Sequence, residues 1–395
     1  MSKYLYVFCL LTGLSALVAA EELVVQELSV SHAHDTNYKL DGSNPKRLGS
    51  SQVEYAPSYR WRDDRVDTQV FGQVSYIAYN GDNEEIESGE SGALGVSSTI
   101  DAHEQVTISG ALSVSSENTA ADEYEEFLGF IGVAERSVDK RKNTAQLDLE
   151  VSYLFSERWS SRASIFALAT EYDDAEATQL VDYQYKVYQG VLTNALTEQY
   201  SAYLSVQYAD FSPEPSSRLI QKLSSVSNQT TSALVGIQVQ LDEQHNLQVA
   251  IGRRWSDFSS ELIESSGSDA GRQFEFSTSR AHSDTTQVSL SVTEQVEPSS
   301  NGSATLKRRA ELKNKHALKE HLAFEYAFAY EYEEERFSGA QTDSEELYSV
   351  RAALSKRVSR EQRLQLRARY RSKEQSASAE STKIEVVWSL KLTSK

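Results

Sequence analysis

The chain has 395 residues, with 39 basic and 58 acidic side chains and a formal net charge of −19. An acidic balance of this size excludes extended contact with nucleic-acid phosphates, so no nucleic-acid partner is expected. The single cysteine, Cys9, lies within the first 20 residues, which excludes a disulfide-stabilised fold for the rest of the chain. Although the mean hydropathy is only −0.50, a sheet whose strands alternate polar and apolar residues stays compatible with that value.

The first 20 residues have the three parts of a secretory signal. Lys3 gives a positive start, the stretch from Tyr4 to Leu17 is apolar, and Val18-Ala19-Ala20 is a small-residue exit. This pattern predicts cleavage after Ala20, with residues 21–395 forming a single domain. A membrane anchor is the alternative, but the apolar stretch is shorter than the ~20 residues that a spanning helix needs. No later segment is long and apolar enough for a spanning helix.

The segment from His321 to Glu335 shows the clearest alternation in the chain. Because side chains of a strand alternate between its two faces, one face of this segment is aromatic and apolar and the other is small or acidic. The apolar positions are Leu322, Phe324, Tyr326, Phe328, Tyr330 and Tyr332. Such a face meets either a second sheet in a soluble sandwich or lipid around a membrane barrel.

The same alternation recurs along the chain, and short turns alternate with longer polar loops. We expect Val181–Val187 to pair with Tyr200–Tyr208 in one of the hairpins. In chain order the predicted strands are Leu23–His34, Gln52–Trp61, Val66–Tyr76, Leu94–Ile100, Val106–Val114, Ala145–Phe155, Trp159–Ala167, Val181–Val187, Tyr200–Tyr208, Ala233–Leu241, Leu247–Trp255, Phe274–Phe276, Val288–Val292, Leu306–Leu312, His321–Glu335, Tyr348–Leu354, Leu364–Tyr370 and Ile384–Leu390.

This sorting of connections by length favours a membrane barrel over a sandwich. Outer-membrane barrels have short turns on the periplasmic side and longer loops outside, whereas a sandwich has no reason to sort them. Trp61, Trp159, Trp255 and Trp388 lie near strand ends, as interfacial girdles require. The sequence therefore predicts an all-β protein, a transmembrane antiparallel up-and-down β-barrel of about 18 strands in the cell outer membrane.

Three segments carry a family resemblance: VSHAHDTNYKL at 30–40, VEYAPSYRW at 53–61 and IGRRWSDF at 251–258. They resemble Gram-negative outer-membrane β-barrels, and in particular β-barrel porins linked to exopolysaccharide secretion. The resemblance implies a channel, with outer-membrane lipid, lipopolysaccharide and the barrel-assembly machinery as partners. Many such barrels end in an aromatic residue, whereas here Thr393-Ser394-Lys395 follows Trp388 and Leu390. The last residues therefore differ from the C-terminal pattern that the barrel-assembly machinery recognises in many such barrels.

Basic residues cluster late in the chain at positions whose parity opposes that of the apolar residues. If the apolar residues face lipid, these cations face the lumen and form a substrate path for an acidic polysaccharide or another anionic solute. The alternative is structural, since Glu311, Glu325, Glu331 and Glu385 share the same face and pair with them. The predicted path residues are Lys307, Arg309, Lys313, Arg351, Arg367, Arg369, Arg371 and Lys383.

The predicted loop from Ser116 to Lys142 contains an apolar run inside a polar stretch. The run either folds into the pore as a constriction or extends the neighbouring strand pair above the membrane. Its apolar residues are Phe127, Leu128, Phe130 and Ile131, followed by Val133.

The sequence gives little support for a catalytic or a metal-binding site. His32 and His34 share a strand face at a spacing that a metal could use, but no carboxylate or cysteine completes the site. His282-Ser283-Asp284 is a tripeptide in a turn, whereas triad members converge from separate elements. We therefore expect no enzyme activity, no metal and no cofactor. The functional alternative to a channel is a structural or adhesive surface barrel that acts through its acidic loops.

Overall fold

The computed structural model describes residues 21–37, 47–81, 88–118, 141–173, 181–214, 227–242, 244–259, 266–283, 286–298, 304–337, 340–374 and 378–394. Within these ranges the chain forms eighteen antiparallel strands, and no helix there is long and apolar enough to cross a membrane. The strands are β1 Glu21–Asp35, β2 Leu48–Arg62, β3 Val66–Gly81, β4 Gly89–His103, β5 Val106–Asn118, β6 Arg141–Leu154, β7 Trp159–Tyr172, β8 Asp182–Ala195, β9 Tyr200–Glu214, β10 Ser227–Asp242, β11 His245–Ser259, β12 Ser266–Ser283, β13 Thr286–Pro298, β14 Ala304–Lys319, β15 Leu322–Phe337, β16 Ala340–Arg357, β17 Gln362–Glu374 and β18 Ser378–Ser394.

Each strand pairs with its neighbours in the chain, and the first strand pairs with the last. β1 lies between β2 and β18, with Val24 opposite Ser394 at one end of the seam and Asp35 opposite Lys383 at the other. Within the described residues every strand thus has a hydrogen-bonded partner on both sides, although β12 pairs with β13 only from Glu275 to Ser283. The predicted 18-stranded up-and-down β-barrel is confirmed.

The two faces of the barrel wall differ in exposure and in chemistry. On the convex outer face the apolar side chains stand apart, and many of them, including Val235, Ile251, Phe328 and Leu366, are exposed. On the concave inner face the side chains crowd together, and even charged groups such as Lys307 are buried there. Alternation along each strand thus builds an apolar outer surface around a polar interior.

β8 pairs with β9 as predicted, but the predicted register was wrong, because both faces of β8 carry apolar residues. Tyr183, Tyr185 and Val187 lie on the inner face, where they oppose Pro213, Phe211 and Ala209 on β9 and not the Tyr200–Tyr208 segment. The outer face of β8 carries Tyr188 and Leu192 instead. When alternation fails to distinguish the faces, sequence cannot fix the register, since a slip of one residue exchanges them.

The strands are longer than predicted. β3 continues to Gly81 and β4 begins at Gly89, so both extend into the segment predicted as a loop from Asn80 to Ser91. β18 continues to Ser394, where Thr393 and Ser394 pair with Val25 and Val24 of β1. Polar residues extend these strands because backbone pairing with a neighbour does not depend on the side chain. The signal segment 1–20 and the loop residues 119–140 lie outside the described residues.

The assignment of faces can be tested on adjacent residues of β15. Phe328 is 46% exposed on the outer face, whereas Ala327 lies on the inner face between Lys313 and Arg351. Phe328→Glu places a carboxylate in the apolar band, which costs on the order of 1–3 kcal/mol at this depth. Ala327→Glu places the same carboxylate between two cations, where we expect it to be tolerated. Urea titration of the refolded barrels, followed by heat-modifiable gel mobility, measures both; equal destabilisation would contradict the assignment.

Candidate functional site

The predicted path residues lie on the inner face of four of the last five strands. Lys307, Arg309 and Lys313 alternate on β14, and Arg367, Arg369 and Arg371 alternate on β17. Their outer neighbours on β17 are Leu364, Leu366 and Tyr370, which are exposed. The same alternation puts Arg351 of β16 and Lys383 of β18 on the inner face, beside Arg369 in the strand register. Strand pairing therefore brings the late basic residues together in one wall.

A cavity of about 500 Å³ opens along this wall. Its lining holds six basic side chains and two acidic ones, in a chain whose net charge is strongly negative. The basic residues are Lys313, Lys315, Arg351, Arg367, Arg369 and Lys383, and the acidic residues are Glu325 and Glu385. Gln287 and Ser289 of β13 continue the polar lining on one side.

Ion pairs across neighbouring strands offset part of this positive charge. Arg367 Nη1 lies 3.1 Å from Glu385 Oε2, and Lys315 Nζ lies 3.2 Å from Glu325 Oε1. The structural alternative predicted from sequence is therefore present at these positions. Acids outside the lining contribute as well, since Lys313 Nζ lies 3.0 Å from Glu311 Oε2.

A denser network lies beyond the cavity, toward the ends of β14 and β15. Lys307 Nζ contacts Glu331 at 3.1 Å and Glu333 at 3.0 Å, and all three side chains are largely buried. Arg309 contacts Glu331 at 3.4 Å and Glu311 at 3.3 Å. Buried charges at this density are balanced by neighbours, so Lys307 and Arg309 hold the wall together more than they present charge to a solute.

Arg371 and Arg369 share a carboxylate from the opposite end of the chain. Arg371 Nη2 lies 3.5 Å and Arg369 Nη2 3.9 Å from Asp35 Oδ2. Asp35 Oδ1 accepts hydrogen bonds from the Asn37 backbone N–H at 2.9 Å and from the Ser381 hydroxyl. The Arg371 side chain is only 3% exposed, so it supplies charge behind the cavity surface, whereas Arg367 is half exposed and lies at that surface.

Two features of the inner face could not be found from the sequence. Asp35 reaches the basic wall only because the barrel closes, whereas the acids predicted to pair with this wall all lie late in the chain. The second is an aromatic cluster on the inner face of β7–β9, on the side of the barrel opposite β17. Its buried members are Tyr172, Tyr183, Tyr185, Val187, Ala209 and Phe211.

Other candidate residues have simpler settings. His32 and His34 lie on the outer face beside Val30, and His32 Nδ1 is 3.0 Å from the Ser51 hydroxyl. Among the described residues, no group of three or more His, Cys, Asp or Glu side chains could hold a metal ion. The proposed constriction residues Phe127, Leu128, Phe130 and Ile131 lie outside the described part of the chain.

The fold of this chain is similar to that of several solved structures. OccAB4 of Acinetobacter baumannii has a TM-score of 0.50 and 9% identity, and the match covers 94% of this chain and 98% of that one. The outer membrane protein OpdK of Pseudomonas aeruginosa gives 0.51 and 9%, with coverage of 95% and 99%. The FrpB iron transporter of Neisseria meningitidis gives 0.51 and 11%, with coverage of 93% and 63%. The fold is that of outer-membrane porins.

At these identities the likeness extends to the fold alone. No model of a known protein family matches the chain, and no curated protein matches it. Any role of the basic wall therefore rests on the residues of this chain.

The contact between Asp35 and the two arginines predicts a stability effect. Asp35→Asn leaves two largely buried guanidinium groups without their shared carboxylate, so we expect the free energy of unfolding to fall by about 2–4 kcal/mol. Asp67→Asn is the matched control, because the Arg60–Asp67 pair near a short turn is more exposed. There we expect a loss below ~1 kcal/mol. Denaturant titrations of both variants measure the difference, and equal losses would argue against a special role for Asp35.

Proposed function

We propose that the protein is an outer-membrane channel for anionic solutes. The observation that carries this proposal is the cavity on the inner wall, whose lining has three times as many basic as acidic side chains in an acidic protein. The apolar outer face supports a membrane location, since exposed Val, Leu, Ile and Phe side chains need a lipid surface around them. The porin fold of the solved neighbours is consistent with a transport role.

The arrangement of charge favours passage over tight binding. A narrow lumen with low-dielectric walls focuses the field of Arg351, Arg367 and Lys383 and raises the local concentration of anions. The ion pairs to Glu385 and Glu325 moderate that field. Conduction needs both properties, because a site must attract the solute and then release it.

The solute class includes polyanions. Arg367 and Arg369 repeat on β17 at about 6.6 Å, and Arg351 and Lys383 extend the basic surface onto the two adjacent strands. A chain with several carboxylate or sulfate groups can contact several of these cations at once, whereas a single small anion contacts one or two. An acidic polysaccharide therefore fits this wall, and we propose its export as the specific role.

Ion selectivity in planar bilayers tests the channel proposal. We expect the reconstituted protein to conduct and to prefer chloride over potassium, as read from the reversal potential under a salt gradient. Lys313→Gln combined with Arg367→Gln removes two lining charges, and we expect the permeability ratio to fall at least about twofold. A barrel that does not conduct would favour the structural or adhesive alternative.

The matched control is Arg60→Gln combined with Arg162→Gln. It removes the same charge from inner-face arginines that lie near short turns and outside the cavity lining. Screening within ~8–10 Å at ordinary salt makes these positions less effective, so this control should keep the native preference. Equal shifts in both double variants would show that total charge, and not the cavity, sets the selectivity.

A further inference from the structure

Two arginines face each other on the outer surface of the barrel. Arg253 of β11 and Arg272 of β12 are directly opposed in the strand register, and both side chains are exposed. Like charges at opposed positions of a sheet repel. Within the described ranges neither arginine forms an ion pair, so this part of the chain supplies no acid that balances them.

Two other outer-face cations have an acid as their neighbour on the adjacent strand. Arg308 Nε lies 2.7 Å from Glu294 Oε2, and Lys186 is directly opposite Asp210. Opposite charges are therefore neighbours at both positions. At Arg253 and Arg272 the register instead sets one cation opposite another, an arrangement that an anion bound between them stabilises.

The pair lies at the edge of the apolar band. On the side of the short turns it borders Ile251, which is 64% exposed, and Phe274, which opposes Ile251 across the same two strands. On the other side it borders Trp255. For a strand tilted by about 40°, Arg253 stands roughly 20 Å above the short turn, close to the top of a ~25 Å band. This is the depth at which the headgroups of outer-leaflet lipids lie.

The Arg253 side chain is oriented toward those headgroups. Its guanidinium carbon lies 5.8 Å from the centroid of the Trp255 ring, so the aliphatic stem runs along the barrel wall toward the loop end of the strand. A guanidinium over an aromatic ring at this distance keeps N–H groups that can donate to another partner. Those edges match the oxygens of a phosphate in a bidentate arrangement.

We propose that Arg253 and Arg272 bind a phosphate group of an outer-leaflet glycolipid, with Trp255 as the aromatic wall of the site. A phosphate between the two guanidinium groups replaces their repulsion with two charge-assisted contacts. The proposal rests on the outer-membrane location given above, but it does not depend on whether the pore conducts or selects anions. Lipid binding and conductance can therefore fail separately.

Native mass spectrometry of the detergent-purified barrel with diphosphoryl lipid A tests the site. We expect Arg253→Ser combined with Arg272→Ser to weaken binding at least about tenfold, since each lost contact to a charged group is substantial. Arg280→Ser is the control, because Arg280 is an exposed outer-face arginine of β12 at its short-turn end. It should bind lipid A like the native protein.

Two further binding measurements complete the test, one with a changed lipid and one with a changed protein. Lipid A without its phosphates should bind the native protein as weakly as intact lipid A binds the double serine variant. Arg253→Lys combined with Arg272→Lys keeps the charge but loses the fork geometry, so its affinity should lie between native and serine variants. The proposal is overturned if the serine variants and the Arg280 control bind alike, or if removing the phosphates changes nothing.

Discussion

Closure of the sheet is the constraint on which the rest of the structure depends. A strand inside a lipid layer has no water to satisfy its backbone, so each N–H and C=O group needs a partner strand. Pairing β1 with β18 provides the last of these partnerships and abolishes both edges. It also fixes which residues share the interior, because Asp35 reaches Arg371 only across the closed seam.

The charge of the interior follows from that geometry. Cations of β14, β16, β17 and β18 are brought onto one wall, and acids of β14, β15 and β18 offset part of their charge. Toward one end the network around Lys307 is buried, whereas the cavity lined by Arg351 and Arg367 has more basic than acidic side chains in its lining. A single wall therefore combines a structural part with a part suited to contact with solutes.

The sequence predicted the fold well because alternation and turn lengths are local signals. It predicted the inner-face parity of the basic wall for the same reason, as Arg367 and Arg369 alternate with Leu366 and Ala368. It failed at β8, where Tyr183 and Tyr188 make both faces apolar and the register becomes ambiguous. It could not find the contact of Asp35 with Arg371, because that contact depends on closure between distant parts of the chain.

The seam between β1 and β18 also constrains the order of events during biogenesis. The Ser381 hydroxyl and Asp35, which bond across it, are 346 residues apart, so the first strand cannot meet its partner until the last strand has been synthesised. Until then the polypeptide has unpaired edges and apolar strands that invite aggregation. The sheet can therefore close only when the whole polypeptide is available, and the barrel is completed as one unit.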